Sequence, residues 1–151
     1  MLGFNLLVGN RDSLWYLHGE REVPAEARQL EPGIYGLSNA ALDVPWPKVR
    51  RAKARLADLL AAADQPPAPD ALRACLADRE VASANELTAQ GLEGDMEQRL
   101  SAQFIVTEQY GTRCCTTVRR DADGAQLVTE QRFSAGGFVV GETECSLPAE
   151  L

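Results

Sequence analysis

The sequence predicts an α+β protein, with antiparallel strands towards both ends of the chain and helices gathered in the middle. Three observations carry this expectation. Near the start, GFNLLVG and LWYLHG are apolar runs separated by the polar turn NRDS. Near the end, TRCCTTVRR and AQLVTEQRF flank DADG, whose Asp-Gly pair supplies the positive-φ residue of a tight hairpin turn. Between them, Val49, Ala52, Leu56, Leu59, Leu60 and Ala63 recur every three or four residues, the period of a helix with one apolar stripe.

Taken in order, the first hairpin places Phe4, Leu6 and Val8 on one face by the two-residue period of a strand. Glu20 to Gln29 is polar and reads as a connection. GIYGLS, with a glycine at its start and another inside it, reads as a short strand. A helix begins at Pro47, because proline loses nothing in a first helical turn, and DQPPAPD stops it. Asp70 is placed to cap a second short helix carrying Leu72, Cys75 and Leu76 on one side. Val81 to Asp95 lacks periodicity and reads as a loop. LSAQFIV reads as a strand, the Asp-Gly hairpin follows, and GGFVVGETE supplies the last strand. No internal repeat is present.

At 151 residues the chain is expected to form a single domain with one core. Apolar residues make up 45% of it, too many for a disordered chain. The formal net charge of −7 argues against a nucleic-acid partner, since phosphate neutralisation needs clustered positive charge. No apolar run approaches the roughly 20 residues of a membrane span. Cys75, Cys114, Cys115 and Cys145 show no CxxC spacing, and there is one histidine, so no zinc site is expected. With no charged leader at its start, the chain reads as a cytoplasmic protein with reduced thiols.

The densest run of candidate chemistry is Lys48 to Arg55, with five basic residues in eight. Cations in the first turns of a helix oppose its dipole, so the run either serves an anionic ligand or forms a solvated edge. Tyr35, Trp46, Lys48 and Arg51 are the candidate ligand contacts in this region. Asn39 follows GIYGLS in a segment pinned by Gly33, Gly36, Pro45 and Pro47, where a held amide donates to an oxyanion or satisfies its own turn. Arg113 opens a strand beside Gly111 and Thr112, a place for bidentate contact with a carboxylate or for orienting a nucleophile. Cys114 and Cys115 are adjacent on a strand and therefore face opposite sides. His18, at a strand end, is either a half-buried surface residue or a haem ligand.

Taken together, GFNLLVGN…LWYLHG, LEPGIYGLSNAALDVPWPKVRRAK, LSAQFIV and YGTRCCTTV resemble the C-terminal part of the NRDE family, also called the Transport and Golgi Organisation protein 2 family. The resemblance runs from Gly3 to about Phe133. It implies an N-terminal-nucleophile-hydrolase-like fold, an αββα sandwich of two sheets between helical layers. It also implies an amidohydrolase-like scaffold, with Asn39 as oxyanion donor and Arg113 near the nucleophile. Family members normally begin Met-Cys and carry Asn-Arg-Asp-Glu early. This chain begins Met1-Leu2, and Asn10-Arg11-Asp12-Ser13 falls in a hairpin turn of the later half. The expectation is therefore a member lacking its N-terminal half and catalytically silent, with exposed sheet that dimerises or awaits the missing part. The alternative is a non-enzymatic carrier for haem or for a small anionic or acyl ligand.

Overall fold

The computed structural model describes residues 3–20 and 24–149. Met1, Leu2 and three residues of the expected 20–29 connection lie outside the described residues. The chain divides into two compact units, Met1–Val44 and Pro45–Leu151, where the sequence length suggested one domain.

The first unit is a three-stranded antiparallel sheet of β1 (Phe4–Gly9), β2 (Leu14–Gly19) and β3 (Glu26–Leu30) in that spatial order. The NRDS turn closes as expected. Asn10 Oδ1 accepts the backbone N–H groups of Asp12 and Ser13, each at 2.9 Å, so the asparagine mimics a backbone turn. β3 begins inside the stretch read as a connection and ends one residue past it. Glu26–Leu30 has no apolar alternation, and its five residues become a strand by pairing with β2 from Leu14↔Leu30 to His18↔Glu26. Its charged side chains make it a polar sheet edge. GIYGLS, by contrast, is not a strand. Gly36 N–H donates to Asp43 Oδ1 and Asp43 N–H to Gly36 O, both at 2.8 Å, and Asp43 takes φ 62°. These bonds fold residues 36–43 into a loop and take up Gly36 and Asp43, leaving them no sheet partner.

The second unit holds all the helices described and a second antiparallel sheet of β4 (Cys114–Arg120), β5 (Gln126–Phe133) and β6 (Val139–Leu147). The β4–β5 turn is the one the sequence specifies: Gly124 has φ 92° and its N–H donates to Asp121 O at 2.9 Å. Helix α1 runs Pro47–Ala62 and starts with proline at its first position. Helix α2 is Pro69–Ala74, capped from Ala68, so Asp70 sits in the first turn and is not the cap. There its carboxylate faces the positive helix end and pairs with Arg73 instead.

The stretch read as a loop contains α3 (Ala84–Thr88) and, at its end, the start of α4 (Asp95–Leu100). Helix α3 is short enough to hide from periodicity, but its start is a complete capping box. Ser83 Oγ accepts Glu86 N–H, and Glu86 Oε2 accepts Ser83 N–H at 2.9 Å. These Ser83 bonds, with Arg51 and Arg50 contributing less, hold the Glu86 carboxyl below its ordinary range. Because the folded value is the lower one, this stabilisation is present above the ordinary glutamate pKa and is lost as pH falls through the folded value. Ser83→Ala is expected to lower the melting temperature at neutral pH and to flatten its decline on acidification below pH 5. Melting curves of the two proteins between pH 3 and 7 check this.

LSAQFIV is likewise not a strand. Phe104 N–H bonds Asp78 O, Ile105 and Thr112 bond each other twice, and only an isolated Val106↔Gly111 bridge remains. A side chain at Gly111 would bring its Cβ to 2.9 Å from Ile105 O, so this tight crossing needs glycine. The core of this unit comprises Pro47, Val49, Cys75, Ala82, Leu87, Ala102, Phe104 and Phe133. Phe104 and Phe133 meet edge to face at 4.7 Å.

Candidate functional site

Three polar clusters are built by this fold. The first lies on one face of the β1–β2–β3 sheet. Tyr16, buried, donates from its hydroxyl to Asn5 Oδ1 at 2.5 Å and accepts Leu42 N–H at 3.0 Å. Asn5 Nδ2 donates to Ala40 O at 3.1 Å. The same Asn5 oxygen lies 2.9 Å from His18 Nδ1, and His18 Nε2 lies 3.2 Å from Glu20 Oε1. Asn5 Nδ2 is committed as a donor, so its oxygen must accept. His18 therefore donates from Nδ1, and its Nε2 faces the Glu20 carboxylate. Register explains the grouping: Asn5 pairs with His18 and Leu7 with Tyr16, so all four share one face.

The second cluster is the basic run on α1. Lys48 Nζ donates to Leu100 O at 2.9 Å and sits 5.5 Å from the Trp46 ring centre. Burial pulls its amine below the usual lysine range. Arg51 pairs with Glu80 at 3.3 Å and Glu86 at 3.4 Å, Arg50 with Glu86 at 3.7 Å, and Arg55 with Asp78 at 2.9 Å. Positive charge at a helix start is thus offset by acidic side chains and a carbonyl from residues 78–100. Arg50 and Arg51 reach Glu86 of α3, a helix within the segment that the sequence suggested was a loop. Lys48 and Arg51 fasten α1 to its neighbours.

The third cluster was not foreseen. The helix α2 packs on β4, and an open cleft of about 410 Å³ lies between α2 and the β5–β6 strands. Arg73 donates to Thr129 Oγ1 at 2.6 Å, and Thr129 and Thr117 hydroxyls are 2.8 Å apart. Asp70 pairs with Arg73 at the rim, and Glu142 and Glu144 line the far side. Cys115 shares the inward face of β4 with Thr117. Burial pushes its thiol up, opposed in part by Arg73. The signal in the sequence was two threonines at the inward positions of facing strands, where apolar residues are the rule.

The remaining sequence-selected residues are dispersed. Tyr35 donates its hydroxyl to Glu31 O at 2.8 Å, a local turn contact. Asn39 is exposed in the loop between β3 and α1. Arg113 is exposed just before β4, and its carbonyl accepts Phe133 N–H at 2.8 Å. Among the described residues neither the Asn39 amide nor the Arg113 guanidinium is hydrogen-bonded. His18, Tyr35 and Asn39 belong to the first unit, and Trp46, Lys48, Arg51 and Arg113 to the second. Cys114 is exposed and Cys115 half-buried on opposite faces, as their adjacency requires. Among the described residues no group of three or more His, Cys, Asp or Glu is placed to hold a metal. No helix among them is long and apolar enough to cross a membrane.

Among the described residues, two three-stranded antiparallel sheets and four helices define an α+β protein. The chain belongs to the Transport and Golgi organisation 2 family, whose family model matches residues 1–135, and for which NRDE is another label. It is 34% identical over 145 residues to the Transport and Golgi organization protein 2 homolog of Bos taurus. It is 31% identical over 141 residues to the homolog of Homo sapiens. Each alignment covers 85% of this chain and 50% of the relative, so the chain spans about half the length of the curated relatives it matches.

Proposed function

We propose that the chain is the scaffolding portion of an amidohydrolase-like family domain and does not hydrolyse amides by itself. The observation that carries this is Cys115. It is the one thiol on an inward sheet face near a cationic side chain, Arg73. Yet burial raises its pKa, the opposite of what a nucleophilic thiolate needs. By the family resemblance, Asn39 is proposed as an oxyanion donor and Arg113 as a residue that orients a nucleophile supplied by another segment. Both side chains are solvent-facing and uncommitted. Like its relatives, the chain serves transport and Golgi organisation, acting from the cytoplasm. Purified 151-residue protein incubated with a panel of acyl amides is expected to give no product above the Cys115→Ala background. Turnover that disappears in Cys115→Ala defeats the reading.

A second reading rests on a separate observation. With Nδ1 donating to Asn5 the ring is oriented, and its Nε2 becomes a ligand for haem iron once the Glu20 carboxylate moves off it. Glu20, which faces Nε2, is itself well exposed and free to swing away. In this reading the protein is a non-enzymatic haem carrier. Titration with haemin is expected to shift the Soret band, and His18→Ala to abolish the shift. Asn5→Ala, which frees the ring, is expected to weaken binding about 10-fold, the scale of losing a metal ligand's orienting partner. A Soret shift unchanged in His18→Ala removes this reading.

A further inference from the structure

The two faces of the β1–β2–β3 sheet differ: one is polar and partly covered, with Leu7 and Leu14 still exposed on it, and the other is apolar and bare. Asn5, Tyr16 and the 40–42 segment partly close the first. On the other, register aligns Leu6, Leu17 and Ala27 across the three strands, with Val8, Trp15 and Gln29 in the row beside them. Phe4 lies over Gly19, where an added Cβ would meet its ring at 2.5 Å, so the glycine lets the aromatic ring lie flat on the sheet. Phe4, Leu6, Val8 and Trp15 are 41–50% exposed. Among the described residues, Gln29 is the only polar side chain on that face. A contiguous apolar face of this kind marks an interaction surface.

The two edges of the sheet differ in a way that says where a partner arrives. Edge strand β3 carries Glu26 and Arg28, the charges that discourage added strands. Edge strand β1, FNLLVG, carries none, and among the described residues it is paired only with β2. The bare face and the unguarded edge adjoin at β1. The relatives also have about as much chain outside the matched stretch as within it.

We infer that the Phe4–Leu6–Val8–Trp15 face and the β1 edge dock polypeptide equivalent to the relatives' unmatched portion. The occupant is an apolar sheet face that packs over Leu6 and Trp15 and continues the sheet beyond β1. A second copy of this chain, pairing β1 with β1 about a two-fold axis, is the competing occupant, and the length of the relatives outside the matched stretch favours their unmatched portion. The inference rests on reading the chain as one portion of a larger domain, and it specifies the surface that joins the portions.

The test uses the whole 151-residue chain with Trp46→Phe, which leaves Trp15 as the only tryptophan. It is co-expressed with the polypeptide of the bovine relative that lies outside the matched stretch. The expected result is a one-to-one complex by light scattering, with Trp15 emission moved to shorter wavelength. Leu6→Lys is expected to weaken the complex about 30-fold or more, the scale of a central interface residue. Because Leu6 is exposed in the free chain, the same change is expected to leave the free chain's melting temperature unmoved. Three results overturn the inference: no complex, a complex indifferent to Leu6→Lys, or self-association through Trp15 without the bovine polypeptide. Amide turnover by the chain alone defeats the scaffolding role and leaves a Leu6-dependent complex standing, so the two failures are distinguishable.

Discussion

Phe133→Ala is expected to destabilise the Pro45–Leu151 unit by about 3–5 kcal/mol, the usual cost of deleting a buried aromatic ring. Phe133 is buried at the end of β5 and meets Phe104 edge to face at 4.7 Å. The Arg79 guanidinium lies 4.8 Å from the centre of the Phe104 ring, so the loss also loosens a cation–π contact. Few other side chains in this unit are fully buried, and neighbouring helices are short, so the site has little with which to refill the space. Denaturant titration followed by far-ultraviolet circular dichroism reads the change. A loss below about 1 kcal/mol would mean that the ring is not the centre of this core.

Tyr16→Phe is expected to cost about 1–3 kcal/mol in the first unit, although it removes a single oxygen. That hydroxyl joins β1 to the loop after β3: it donates to Asn5 Oδ1 and accepts Leu42 N–H. Without it, a buried backbone N–H loses its partner, and phenylalanine offers no replacement. Tyr35→Phe is the control. Its hydroxyl bonds a carbonyl in an exposed turn, where water substitutes, so a smaller effect is expected. Hydrogen exchange of the Leu42 amide separates the two: it is expected to accelerate in Tyr16→Phe and to stay slow in Tyr35→Phe.

The two hairpins and α1 were legible because their signals are local. Asn10 and Gly124 fix their turns within four residues, and alternation or a 3–4 period does the rest. β3 was not legible, because Glu26–Leu30 is a strand only by virtue of β2 beside it. LSAQFIV failed for the opposite reason. It is apolar enough for a strand, but Thr112 and Asp78 take its backbone groups. Helix α3 was legible in principle from Ser83-Ala84-Asn85-Glu86, a capping box hidden in a polar stretch. At the candidate site, the basic run was visible but its partners were not. Glu80 and Glu86 lie about thirty residues from Arg51, and nothing local announces them. Thr117, Thr129 and Arg73 converge only after α2 packs on β4.

Thiol alkylation followed residue by residue with mass spectrometry tests most directly whether the chain carries an activated nucleophile of its own. At pH 7, Cys115 is expected to label more slowly than exposed Cys114 and Cys145, and to catch up only above the ordinary thiol range. Cys115 labelling ahead of both at neutral pH would contradict the account.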